Sequence, residues 1–249
     1  MRVICNEHQL AVSMDYRMLK EWVRHGEGKN LEFKLKTNHP DKIVREIVAF
    51  ANSDGGYLLI GVGDDKSIKG LKYPDEDEYI LTRAIEKLCV PTIHYSMERV
   101  QVEDEREVLV FNIPKSQAGP HAVLSELEPT ASTGGTSPKI ALAVPVATKR
   151  TYVRVADKSV QASREVREIL RGRRRQRNVR FTYGEKEKKL MQHLDQNKSI
   201  TVDDFANVAD IPRSMASKTL VLLVLANVLR VHPNEVKDTY TMVAVAPVV

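Results

Sequence analysis

Residues 43–65 read IVREIVAFANSDGGYLLIGVGDD, and this stretch decides the fold. Ile43, Val44, Ile47, Val48 and Ala51 recur at helical spacing and mark one apolar stripe of a helix. Pro40, just before them, suits a first helical turn. Ser53-Asp54-Gly55-Gly56 ends the helix, the paired glycines supplying a left-handed cap and turn. Tyr57 to Val62 is then near-continuously apolar, the pattern of a strand covered on both faces. A helix running into a doubly buried strand points to an α+β domain of mixed sheet and helices.

Working outward, residues 14–25 read as a short helix with Met18, Leu19 and Trp22 on one face. Asn30 to Lys36 alternates, with Leu31, Phe33 and Leu35 inward and Glu32, Lys34 and Lys36 toward solvent. On the other side, Asp77 to Val90 predicts a helix stopped by Pro91. Thr92 to Val100 and Glu107 to Ile113 predict two strands. From Lys115 to Lys149 no period holds, and Glu126 to Pro138 reads as a loop. Thr151 to Val155 is a strand again, and Ser163 caps a helix ending near Arg171. Helices are then expected at Glu185 to Gln196, Thr201 to Ala209 and Arg213 to Val228, with a turn at Asp210-Ile211-Pro212. A hairpin of Leu229 to Val231 and Tyr240 to Val245 closes the chain.

The chain has 249 residues, 42% hydrophobic and 29% charged, an ordinary globular balance that fits one or two domains. Cys5 and Cys89 cannot build a disulfide framework and form no C-x-x-C, so a reducing, cytoplasmic setting is expected. The longest apolar runs, such as Val221 to Ala226, are far short of the roughly 20 residues of a membrane span. No basic segment followed by an apolar one opens the chain, so no signal peptide and no membrane partner are expected. The seven histidines show no zinc-ligand spacing.

The net charge of +5 is unevenly spread. Lys72 to Glu107 holds ten acids against five bases, leaving 33 bases and 23 acids elsewhere. Arg171, Arg173, Arg174, Arg175, Arg177 and Arg180 crowd six positive charges into ten residues. Such a run is either a solvated linker or a contact for a polyanion whose condensed counterions it displaces. Lys34, Lys36 and Arg154 add cations on predicted strands.

Two resemblances follow. GEGKNLEFK (Gly26 to Lys34), the stretch quoted above, SIKGL (Ser67 to Leu71) and YVRVADKSVQAS (Tyr152 to Ser163) together resemble the Schlafen AlbA domain, a type described as DNA-binding. The likeness covers about residues 12–171. Residues 200–231, ITVDDFANVADIPRSMASKTLVLLVLANVLRV, resemble bacterial winged helix-turn-helix regulators, with Phe205, Val208 and Ile211 at core positions. The organisation expected is therefore an AlbA-type domain (12–171), a basic linker (172–184) and a small winged-helix domain (185–249).

These resemblances imply a non-enzymatic nucleic-acid-binding protein, a transcriptional regulator on double-stranded DNA, working as a homodimer without a cofactor. The third helix of a winged unit enters the major groove, and here it would offer Arg213, Ser214, Ser217 and Lys218. Some Schlafen relatives cut RNA with two glutamates and an aspartate around a divalent metal. The matching positions are Glu27, Glu32 and Asp64, so the alternative is an endoribonuclease using Mg²⁺ or Mn²⁺. A protein-interaction adaptor is a third reading. A nucleotide site is not expected, because the paired glycines run helix to strand and no G-x-x-x-x-G-K-[ST] occurs.

Overall fold

The computed structural model describes residues 14–102, 105–125, 148–174 and 181–243. The first helix, α1 (Tyr16–His25), is capped by Asp15, whose carboxylate accepts the Met18 N–H at 2.8 Å. The strand β1 (Leu31–Lys34), the helix α2 (Pro40–Asn52) and the strand β2 (Gly56–Ile60) form a crossover unit with the two strands parallel. After α3 (Pro74–Leu88) and β3 (Cys89–Val90), the hairpin of β4 (Ser96–Gln101) and β5 (Glu107–Ile113) completes a four-stranded sheet, order β1-β2-β5-β4. The α3 helix begins three residues before the expected start. Pro74 fits its first turn, and Asp75, Glu76 and Asp77 sit favourably at its positive end.

Strand alternation splits the core in two. Leu58, Ile60, Leu109, Phe111 and Ile113 face α2 and α3, while Phe33, Leu59, Val108 and Val110 face α1. The β2 strand is thus covered on both sides, as its sequence predicts. The two glycines before it do different work. Gly55 takes the left-handed turn at φ 78°, whereas Gly56 is needed because a Cβ there would lie 2.4 Å from the Phe50 ring.

The segment without a period contains two strands, β6 (Ala122–Ser125) and β7 (Thr148–Arg150), paired in the order β3-β6-β7. The predicted loop at 126–138 lies outside the described residues. A hairpin follows, β8 (Tyr152–Val155) and β9 (Lys158–Gln161), the latter a strand beyond the one expected at Thr151 to Val155. Asn52, at the end of α2, ties these pieces together by donating to the His121 and Tyr152 carbonyls, each at 2.9 Å.

Next comes α4 (Arg164–Arg174), capped by Ser163, whose hydroxyl accepts the Val166 N–H at 3.1 Å. The C-terminal unit comprises α5 (Glu185–Asn197), β10 (Ser199–Ile200), α6 (Val202–Ala209), α7 (Arg213–Leu225), β11 (Leu229–His232) and β12 (Thr239–Met242). Its strands pair in the order β10-β12-β11. This is the expected succession of elements with one short strand added. The α7 helix stops at Leu225, before the expected Val228, because the chain turns through Asn227 at φ 58°. Phe205 is fully buried and Ile211 packs on the core, but Val208 is 37% exposed and is not a core residue.

The α4 helix belongs to both halves. Val166 packs with Val153 and Ala162, and Val231 reaches the same cluster. Three residues later, Ile169 enters the core formed by α5, α6 and α7. Gly172 lies so close to α7 that a Cβ would stand 2.5 Å from a Leu225 methyl. Residues 172–174 are therefore helical and packed, and the expected linker starting at 172 is corrected on that ground. The cap continues the joint: Ser163 Oγ donates to Asp238 beside the β11–β12 hairpin at 2.5 Å.

Candidate nucleic-acid interface

Of the expected contact residues, Arg171, Arg173 and Arg174 lie exposed on the last turn of α4. Lys149, which sequence reading did not single out, comes from β7 to meet them. Lys149, Arg167, Arg171 and Arg174 line one cleft of about 630 Å³ floored by Pro91, Gly119, Pro120 and Ala122, with no acidic side chain in its wall among the described residues. A second cleft of about 430 Å³ shares Arg174 and adds Arg173, Lys29 and Lys115. The latter two lysines are paired with Asp54. Lys149, Arg171, Arg173 and Arg174 have no carboxylate partner among the described residues, so their charge is available to a ligand. Arg175, Arg177 and Arg180 lie outside the described residues.

Other expected contacts turn inward. The Arg154 side chain is 0% exposed and bridges Glu32 and Glu46, each at 2.5 Å, beneath the Phe50 ring. Its Nη2 also donates to the Gly28 carbonyl at 3.0 Å. Lys34 binds Glu32 and donates to the Phe33 carbonyl at 2.8 Å. Neither is free for a phosphate, and of the three expected strand cations only Lys36, just past the end of β1, stays exposed without a carboxylate partner among the described residues. Glu32, expected toward solvent, is buried because Arg154 covers it, and Leu35, expected inward, is 39% exposed beyond the end of the strand.

On α7, Ser214 and Lys218 are exposed, and Arg213 is exposed but donates to Asp203 at 2.8 Å. That pairing holds the Asp203 carboxyl below its usual range. Ser217 is buried against α4 and donates to the buried Glu165 at 2.6 Å, which removes it from the expected contact set. Replacing Ser217 with alanine leaves that carboxylate without its donor. The expected result is a loss of about 1–3 kcal/mol of stability, read by urea denaturation. An unchanged midpoint would show that the Ser217–Glu165 hydrogen bond adds nothing to stability.

The acidic trio is close but engaged elsewhere. Glu27 accepts the Phe33 N–H at 2.8 Å. Burial, opposed by that bond and reinforced by the neighbouring charges of Glu32 and Asp64, pushes its carboxyl above the usual range. Asp64 is exposed in the turn after β2. Glu32 already has Lys34 on one oxygen and Arg154 on the other. Among the described residues no group of three His, Cys, Asp or Glu side chains is arranged to hold a metal ion. As arranged, the trio does not fit a divalent cation, because two cations already neutralise its central member.

A sheet covered on both faces, with an arginine-clamped glutamate on its edge strand and cations gathered outside it, defines an α+β domain with a basic surface. The family model described as Schlafen, AlbA_2 matches residues 27–163, and the chain belongs to that family. Among solved structures it is similar to the N-terminal domain of a RecG-related protein from Nitrosomonas europaea. The identity is 22%, over 50% of this chain and 92% of that one, with a TM-score of 0.37. It is also similar to the DIP2311 protein from Corynebacterium diphtheriae, at 17% identity over 68% of this chain and 29% of that one, with a TM-score of 0.36. Among the described residues no helix is long and apolar enough to cross a membrane.

Proposed function

We propose that this chain is a nucleic-acid-binding protein that grips duplex DNA through the α4 surface and acts as a transcriptional regulator. The observation that carries the reading is the convergence of Lys149, Arg171 and Arg174 on one cleft with no acid among the described residues of its lining. These three cations, held together with no carboxylate partner among the described residues, favour a polyphosphate backbone, which supplies closely spaced anions. The α5–α7 unit with its three-stranded sheet is read as a winged helix-turn-helix, with Ser214 and Lys218 as the exposed residues of its third helix. A homodimer would place two such units on a palindromic site.

The test is equilibrium binding to duplex DNA, single-stranded DNA and RNA across a salt series, with and without Mg²⁺ and Mn²⁺. The expected result is tightest binding to duplex, a steep fall in affinity with salt and intact nucleic acid throughout. Preference for RNA with cleavage in Mn²⁺ would replace the regulator with the nuclease alternative. Absence of salt-dependent binding to all three would leave an adaptor.

A further inference from the structure

His121 is buried, with both ring nitrogens engaged. Its Nδ1 lies 2.8 Å from the Pro91 carbonyl, which can only accept, so Nδ1 carries the proton. Burial pushes the imidazole below its ordinary range and keeps it neutral at pH 7. Nε2 therefore offers a lone pair, and Ser116 Oγ donates to it at 2.6 Å.

Both residues are fixed from the end of α2. Asn52 accepts the His121 N–H at 2.8 Å and donates to its carbonyl at 2.9 Å. The Ser116 N–H donates to the Ala51 carbonyl at 2.9 Å. Gly119 closes over the ring, where an added Cβ would lie 3.3 Å from the His121 Cδ2. Ser116 Oγ accepts the Ala118 N–H at 3.1 Å and keeps one lone pair. Ser116 also lines the 430 Å³ cleft that holds Arg173 and Arg174.

A hydroxyl bonded to a neutral imidazole, whose other nitrogen is held by a third group, is how a serine nucleophile is activated. We propose that Ser116 and His121 form a nucleophile–base pair that cleaves a small carboxylic ester bearing an anionic group, drawn in by Arg173 and Arg174. Ser116 Oγ bonds to the ester carbonyl carbon as its proton passes to His121 Nε2, and the carbonyl electron pair moves onto oxygen. Collapse of that intermediate breaks the bond to the alcohol, which leaves with the proton from His121. Water then bonds to the acyl carbon as its proton passes to His121 Nε2, the bond to Ser116 Oγ breaks, and Oγ takes that proton back as the acid leaves. The backbone N–H groups of Gln117 and Gly119, in the same loop as Ser116, have no acceptor among the described residues, and we assign them as the donors for the oxyanion.

The experiment treats the full chain with a fluorophosphonate probe, and separately with 4-nitrophenyl acetate and the anionic mono-4-nitrophenyl succinate. The expected result is one equivalent of probe on the peptide containing Ser116, lost in Ser116→Ala. The labelling rate should fall in acid as His121 protonates and be level by pH 7. The succinate ester should react about tenfold faster than acetate at low salt, and Arg173→Ala with Arg174→Ala should abolish the difference. No labelling of the native chain, or labelling that survives Ser116→Ala, overturns the proposal. Equal rates for the two esters overturn the anionic substrate class. DNA binding by Ser116→Ala is a separate readout and should be unchanged.

Discussion

Changing Arg171, Arg173 and Arg174 together to alanine is expected to weaken binding to any duplex by roughly 10²-fold at about 0.15 M salt. Each cation seated on a phosphate releases about 0.9 of a counterion, which is worth roughly fivefold at that ionic strength. Three such contacts multiply to the stated loss. The slope of log affinity against log salt should shrink by about three units. The loss should be the same on a specific site and on random duplex, because phosphate contacts position a protein and carry no sequence information. All three side chains are exposed, so the folded chain is expected to survive the change. An unchanged slope would make the last turn of α4 an ordinary solvated helix end, and the polyanion surface would have to be sought elsewhere.

The elements that sequence reading located well are those with a dense apolar signal. The α2 helix shows a clean stripe, and β2 a continuous run, because each is covered by a core on the faces its pattern describes. The strands that escaped are short and marginal. β6 has two half-buried residues out of four, and β7 contributes Thr148, Lys149 and Arg150, none of them buried. Such strands exist through their neighbours' hydrogen bonds, so their own residues carry little period. The basic cleft was half legible for the same reason. Its arginines form a run, but Lys149 reaches them only through the pairing of β7 with β6.

Errors about individual side chains came from partners far along the chain. Glu32 alternates as a solvent-facing residue, and only Arg154, 122 positions later, makes it a core residue. Ser217 sits on what reads as the leading edge of a recognition helix until Glu165, 52 positions earlier, claims it. The Ser116–His121 pair carries no recognisable spacing, since Pro91 and Asn52 supply its geometry. In each case local periodicity was followed, and tertiary pairing reassigned one polar group.

The largest effect on stability is expected at Arg154. Its guanidinium is fully enclosed, and its partners Glu32 and Glu46 are themselves largely buried. Arg154→Met keeps most of the volume and removes the charge, leaving two carboxylates facing one another with Lys34 and Ser159 as remaining partners. Breaking a buried pair in this way costs about 3–5 kcal/mol, because the orphaned charge keeps its desolvation penalty. Urea denaturation at pH 8 should show that loss. The pH dependence separates charge from packing. The Glu46 carboxyl already stands above its ordinary value, chiefly through burial, with the Glu32 charge adding and the Ser159 bond and Arg154 opposing. A carboxyl raised in the folded state adds stability only below its unfolded value, and that contribution disappears as pH rises through the folded one. Removing Arg154 takes away a charge that opposes the rise at Glu46, so that carboxyl is raised further. The deficit of the variant should therefore shrink as pH falls from 8 toward 5, and adding Glu46→Gln should recover part of it at pH 8. A deficit equal at both pH values, and untouched by Glu46→Gln, would mean that Arg154 holds the β1, α2 and β8 elements by packing on Phe50 rather than by neutralising their acids.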